Sequence, residues 1–238
     1  MKTWGAKFDP KQEREMEIMR KLRSDYIVMF CGTSVVKGRP ALVMEFVPMG
    51  SLESFMTKRE FSPSLKMRYA KDMCLGMCYL HSKNIIHRDF KLANVLVVSD
   101  DPGRKGAVCK ISDFGTSRET DISETMNMTH SMTMTSNIGT PLYMSPELLN
   151  GTGRYSLSAD VYSYGISLAG LWNQAIPYSE QEFDDVVELL GKICSYNLRP
   201  TLRDDCPQSY SNLAMLCWSQ DPHQRPTFDE ISRTVFGV

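Results

Sequence analysis

The sequence predicts an α+β fold, with a small front lobe of one helix and a few strands followed by a larger, mainly helical body. Three observations carry that expectation. A helical pattern and two strand-like runs come first, before Pro48, and helical periodicity dominates afterwards. Val161–Trp172 is apolar nearly all round, as a helix buried at the centre of a lobe must be. Between Ile86 and Gly115, two short apolar runs each lie beside a turn that carries acid or amide side chains.

Asp9-Pro10 opens the first helix, with Asp9 as N-cap, Pro10 at the first helical position and Gln12 where a capping box places it. The helix is expected to run to about Leu22, with Ile18, Met19 and Leu22 facing inward. Glu15 lies four residues before Met19 on that same face. It therefore either meets a partner inside the protein or is a solvated helix glutamate. Tyr26–Cys31 and Ala41–Val47 read as strands joined by a turn at Lys37-Gly38, and Gly50-Ser51 as a connector. Ser62-Pro63 starts a core helix whose apolar positions are Ala70, Met73, Cys74, Met77, Leu80 and His81; Asn84 ends it. Val95–Val98 and Val108–Ile111 are the two short strands. The Ser- and Thr-rich segment between Gly115 and Pro146 reads as a surface loop. Phe183–Leu198 and Tyr210–Trp218 are helical by period, and Arg225-Pro226 precedes a last helix.

The totals limit what this body can do. Across 238 residues, 42% are hydrophobic and 23% charged, the balance of an ordinary globular protein. A net charge of −1 carries no polyanion-binding signal, so nucleic acid is not an expected partner. Seven cysteines, with no Cys-x-x-Cys and no His pair at zinc spacing, point to a reducing compartment, and Cys74 with Cys78 reads as a core pair. No apolar run reaches membrane-spanning length, and Met1–Gly5 has no signal-peptide character. A cytoplasmic location is expected, either for a separate protein or for the intracellular part of a longer, membrane-anchored one.

The chemistry concentrates in Ile86–Gly115. Two strands closed by a turn would bring Asn94, just before the first, and Asp113, just after the second, to one end of a small sheet. Hard oxygens gathered there without a full cage suit a Mg²⁺ shared with substrate phosphates. His87-Arg88-Asp89-Phe90-Lys91-Leu92-Ala93-Asn94 followed by Asp113-Phe114-Gly115 resembles the catalytic and metal-binding loops of protein kinases. The resemblance extends over nearly the whole chain. Tyr143-Met144-Ser145-Pro146-Glu147 is similar to the end of the family's activation loop, with Ser where Ala is usual. Asp160-Val161-Tyr162-Ser163-Tyr164-Gly165 resembles the start of its central helix, and Asp221–Phe228 its closing motif. The wording is closest to the tyrosine-kinase-like group, and Lys91 two residues after Asp89 matches the Ser/Thr form.

That resemblance implies a two-lobe fold with a truncated, β-rich small lobe in residues 1–47 and a complete, mainly helical large lobe in 48–238. It implies a protein serine/threonine kinase that uses ATP and Mg²⁺. Asp89 would accept or orient the proton of the substrate hydroxyl, Lys91 would place its charge on the γ-phosphate, and Asn94 and Asp113 would hold the metal. Met44 would be the gatekeeper of the adenine pocket, Glu45 C=O and Val47 N–H would face the adenine edge, and Leu96 would form the floor. Glu147 would pair with Arg225. Met19, Phe30, His87 and Phe114 would stack as an apolar column, and Arg88 would receive an activating phosphate. Thr140 would touch the catalytic loop; no acceptor is singled out among Thr129–Ser136.

One departure bears on activity. The family needs a Gly-rich loop over the phosphates and a strand lysine paired with the helix glutamate. No Gly-x-Gly-x-x-Gly occurs in the sequence. Lys2 is the candidate lysine for Glu15, or else an N-terminal lysine with no such role. The alternative function is accordingly a non-catalytic, kinase-like scaffold or regulatory module.

Overall fold

The computed structural model describes residues 8–119, 141–151 and 155–238. Lys2, Thr140 and the candidate phosphate acceptors among residues 129–136 lie outside the described residues.

Helix α1 (Pro10–Lys21) begins where its capping box predicts. Gln12 N–H donates to Asp9 Oδ1 at 2.8 Å, and Asp9 N–H to Gln12 Oε1 at 3.2 Å. Ile18, Met19 and Leu22 are buried, the last one residue beyond the helix. Strands β1 (Phe30–Val36) and β2 (Arg39–Met44) form an antiparallel ribbon about Lys37-Gly38, both at positive φ as a tight hairpin turn requires. The first strand starts later than expected, because Tyr26–Val28 pairs elsewhere. Ile27 bridges in parallel to Ile111, and Val28 N–H donates to Ile111 O at 2.9 Å. The second strand stops at Met44, short of Val47.

Past the ribbon, Ser51 caps an unexpected short helix, α2 (Leu52–Met56), by accepting Ser54 N–H. Helix α3 (Pro63–Ser82) carries Ser62 as its N-cap, with Ala70, Met73, Cys74, Met77 and Leu80 buried in the core. Cys78, read from the sequence as buried, is half-exposed. Asn84, at φ 55°, turns the chain out of α3 into β3 (Ile85–Ile86). Strands β4 (Val95–Val97) and β5 (Cys109–Ile111) pair antiparallel, Val95 opposite Ile111, and β6 (Arg118–Glu119) pairs with β3.

The helical body follows. Helix α4 (Pro146–Leu149) leads to α5 (Leu157–Asn173), on which almost every residue from Ala159 to Trp172 is buried. Helix α6 (Val186–Ser195) lies against α4, α7 (Gln208–Cys217) against α5, and α8 (Phe228–Thr234) against α3. Gly165 allows α5 and α7 to touch: a Cβ there would stand 2.9 Å from Cys217 Cβ and from Trp218 N. No helix among the described residues is long and apolar enough to cross a membrane.

Candidate active site

The short β4–β5 pair sets out the site. Asn94 ends a single 3₁₀ turn immediately before β4, and Asp113 comes two residues after β5. The ladder is extended at that end by Ser112, whose N–H and hydroxyl both donate to Asn94 O, at 2.8 and 2.9 Å. The two expected oxygen ligands therefore stand on neighbouring strand ends, as the spacing implied.

Asp89 is the centre of a small polar cluster. Lys91 Nζ donates to both carboxylate oxygens, at 3.0 and 2.9 Å. Asn94 Nδ2 donates to Asp89 O at 2.7 Å and to its Oδ2 at 3.2 Å. With its NH₂ committed there, the amide oxygen of Asn94 is the atom left for a cation. Asp113 is exposed and sits at φ 62°, the left-handed region, followed by the Gly115 N–H that donates to Oδ1 at 3.3 Å. A non-glycine residue held there is locally strained, which the surrounding ladder must sustain. One amide oxygen and one exposed carboxylate fit a small, hard cation that also takes oxygens from phosphate.

The shape of the His87–Asn94 loop depends on Asp160, which opens the central-helix motif but for which the sequence assigned no contact. Asp160, 1% exposed near the start of α5, accepts His87 N–H at 2.8 Å and Arg88 N–H at 3.0 Å. His81 Nε2 lies 3.0 Å from the same carboxylate. An acid inside an otherwise apolar helix was the available signal, since such a group must be paired. His87 is fully buried, with Nε2 3.0 Å from Ser112 O and its ring 5.5 Å from that of Phe114. Met19 and Phe114 are buried and Phe30 is partly so.

Arg88, at φ 70°, lays its guanidinium over the Tyr155 ring at 4.2 Å. Burial, together with the nearby charges of Arg88 and Arg14, holds the Arg118 guanidinium below its usual pKa. Cationic groups from α1, the His87–Asn94 loop and β6 are therefore near enough for their charges to be felt at Arg118. Farther back, Glu147 and Arg225 form a two-pronged pair at 2.8 and 2.9 Å. Burial pushes the Glu147 carboxyl up, but the hydrogen bond and charge of Arg225 outweigh it and leave the group below its ordinary value.

The residues expected to face a nucleotide are less enclosed. Met44 is 41% exposed at the end of β2, Val47 is buried, and Leu96 is half-buried opposite Lys110 on β5. Glu15 is half-buried on α1. The Glu45 side chain, for which the sequence reading assigned only a backbone role, is bound by Lys110 Nζ at 2.7 and 2.9 Å.

Comparison with known proteins agrees over nearly the whole chain. Residues 5–235 match the family described as protein tyrosine and serine/threonine kinase. Among curated proteins of Dictyostelium discoideum, a probable serine/threonine-protein kinase gdt2 is 34% identical over 93% of this chain and 13% of its own length. A probable LIM domain-containing serine/threonine-protein kinase is 35% identical over 94% of this chain and 32% of its own. A dual specificity protein kinase, shkA, is 34% identical over 92% of this chain and 40% of its own. The chain thus spans well under half the length of these relatives.

Proposed function

This chain belongs to the protein tyrosine and serine/threonine kinase family, and from that premise we propose that it transfers the γ-phosphate of ATP to Ser and Thr hydroxyls of a protein substrate, with Mg²⁺. The observation that carries the proposal is the Asp89 carboxylate, fixed by Lys91 and Asn94 beside the strand end that presents Asp113. In this reading residues 1–47 act as the small lobe and 48–238 as the large one, with the sequence closest to the tyrosine-kinase-like group.

Asp89 accepts the substrate hydroxyl's proton as the oxygen attacks in line, and Lys91 moves from its carboxylate to the transferring phosphoryl group. Asn94 and Asp113 would hold the metal, which would supply charge to neutralise the phosphate oxygens. Met44, Glu45 C=O, Val47 N–H and Leu96 line the adenine site. Glu15 orients a lysine on the phosphates, for which Lys2 is the candidate. The grouping of Arg88 with Arg118 and Arg14 supports a docking point for a phosphorylated loop residue.

The test is transfer of radiolabelled phosphate to a generic protein acceptor, with and without Asp89→Ala. Mg²⁺-dependent labelling that disappears in the variant supports the reading. The scaffold alternative is favoured by one observation, the absence of a Gly-x-Gly-x-x-Gly pattern from the sequence. A folded chain whose unfolding temperature does not respond to Mg-ATP would decide for it.

A further inference from the structure

The Glu45 carboxylate is gripped from two directions. Its Oε1 accepts Met29 N–H at 2.7 Å and Lys110 Nζ at 2.7 Å, and its Oε2 takes the same ammonium at 2.9 Å. Both side chains are mostly withdrawn from water, 17% exposed for Lys110 and 23% for Glu45. The Glu45 backbone N–H also donates to Met29 O at 2.9 Å. Residue 45 is therefore clasped to residue 29 by main chain and side chain together.

Met29 in turn follows the segment that docks on β5. Val28 N–H donates to Ile111 O, and Ile111 N–H to Tyr26 O, each at 2.9 Å. Lys110 and Ile111 are adjacent on that strand, and Asp113 lies two residues further on. A closed circuit results, running from Glu45 through Met29, Val28, Ile111 and Lys110 back to the Glu45 carboxylate. It joins the segment read as facing the adenine edge to the strand that delivers the metal-binding aspartate. Without Lys110 the carboxylate would keep only the Met29 contact, and a group with so little solvent access would be pulled outward toward water.

We propose that Lys110 is a positioning residue for the nucleotide: by fixing the Glu45 side chain it sets the placement of the residue 45–47 backbone relative to Asp113. It touches no reacting atom and acts through Glu45. The inference rests on the reading of residues 45–47 and Asp113 as the two ends of a Mg-ATP site.

The experiment compares the full chain with Lys110→Met and Lys110→Arg, measuring Kd for Mg-ATP by titration calorimetry, KM and kcat by phosphate transfer, and unfolding temperature without nucleotide. Lys110→Met keeps an apolar stem beside Leu96 and removes the charge. Its Kd and KM are expected to rise about tenfold, with kcat within about twofold and the unfolding temperature nearly unchanged. Lys110→Arg should restore most of the affinity. Glu45→Gln, which keeps an acceptor for Met29 N–H, approaches the same pair from its other side and should show the same rise. Unchanged Kd in both Lys110→Met and Glu45→Gln overturns the inference, as does a gain in kcat at constant KM, which would make the pair a restraint on turnover. If the unaltered chain binds no Mg-ATP, the proposed function itself fails, and this inference with it.

Discussion

At the scale of single residues, the chain separates groups that do chemistry from groups that hold them. Asp89→Ala removes the proposed proton acceptor and the carboxylate bonds from Lys91 and Asn94, so phosphate transfer should fall by about 10²- to 10⁴-fold while Mg-ATP binding persists. Single-turnover transfer alongside calorimetric binding checks both halves. Arg225→Ala instead removes the two-pronged guanidinium from a carboxylate that is only 16% exposed. A loss of about 3–5 kcal/mol in chemical denaturation is expected, the cost of breaking a buried ion pair from one side. The same pair sets an acid limit. Because the folded-state pKa of Glu147 is depressed, its stabilisation is complete above the unfolded value and disappears as pH falls through the folded one. Unfolding temperature followed from about pH 6 down to pH 3 should therefore drop less steeply in Glu147→Gln than in the unaltered chain.

At the scale of elements, close contacts decide which changes the fold tolerates. Gly165→Ala places a methyl against the backbone nitrogen of Trp218 and the Cβ of Cys217, neither of which can swing aside. Gly76→Ala meets first the Cδ1 tip of Ile111, 2.6 Å away but on a flexible side chain. Overpacking of this sort costs about 1–3 kcal/mol. Thermal unfolding should show the larger drop for Gly165→Ala, by about 2–4 °C per kcal/mol in a domain of this size. The elements themselves were largely legible. The Asp9–Gln12 cap, the Ser62-Pro63 start, the Lys37-Gly38 turn and the all-apolar α5 each announce themselves through local chemistry. The failures were long-range. Tyr26–Val28 has strand composition, yet it pairs with Ile111 and not with the ribbon, a choice that no local pattern encodes. The residues of the candidate site stood out by motif, whereas their supports did not. Asp160 stood out as an acid in an apolar helix, but its partner 73 positions away did not, and Lys110 looks like an ordinary polar residue until Glu45, 65 positions away, is in view.

At the scale of the whole molecule, burial is uneven. The body around α3 and α5 is densely buried, whereas the β1–β2 ribbon has two strands, each with an edge that carries no ladder partner among the described residues. Its valines at 35 and 36 are more than half exposed. Two strands alone are marginally stable. Amide hydrogen exchange should accordingly be fast across β1 and β2 and slowest in the middle of α5, where opening requires global unfolding. Uniform protection across both regions would contradict this picture. The carboxylate of Asp160 has a consequence in time as well as in space. During synthesis the ribosome delivers His87 to Asn94 long before it delivers the residue that receives the His87 and Arg88 amides. A nascent chain that already contains Asp89, Lys91 and Asn94 thus lacks the rivet that gives their loop its shape, and the candidate site is set only after the central helix has been made.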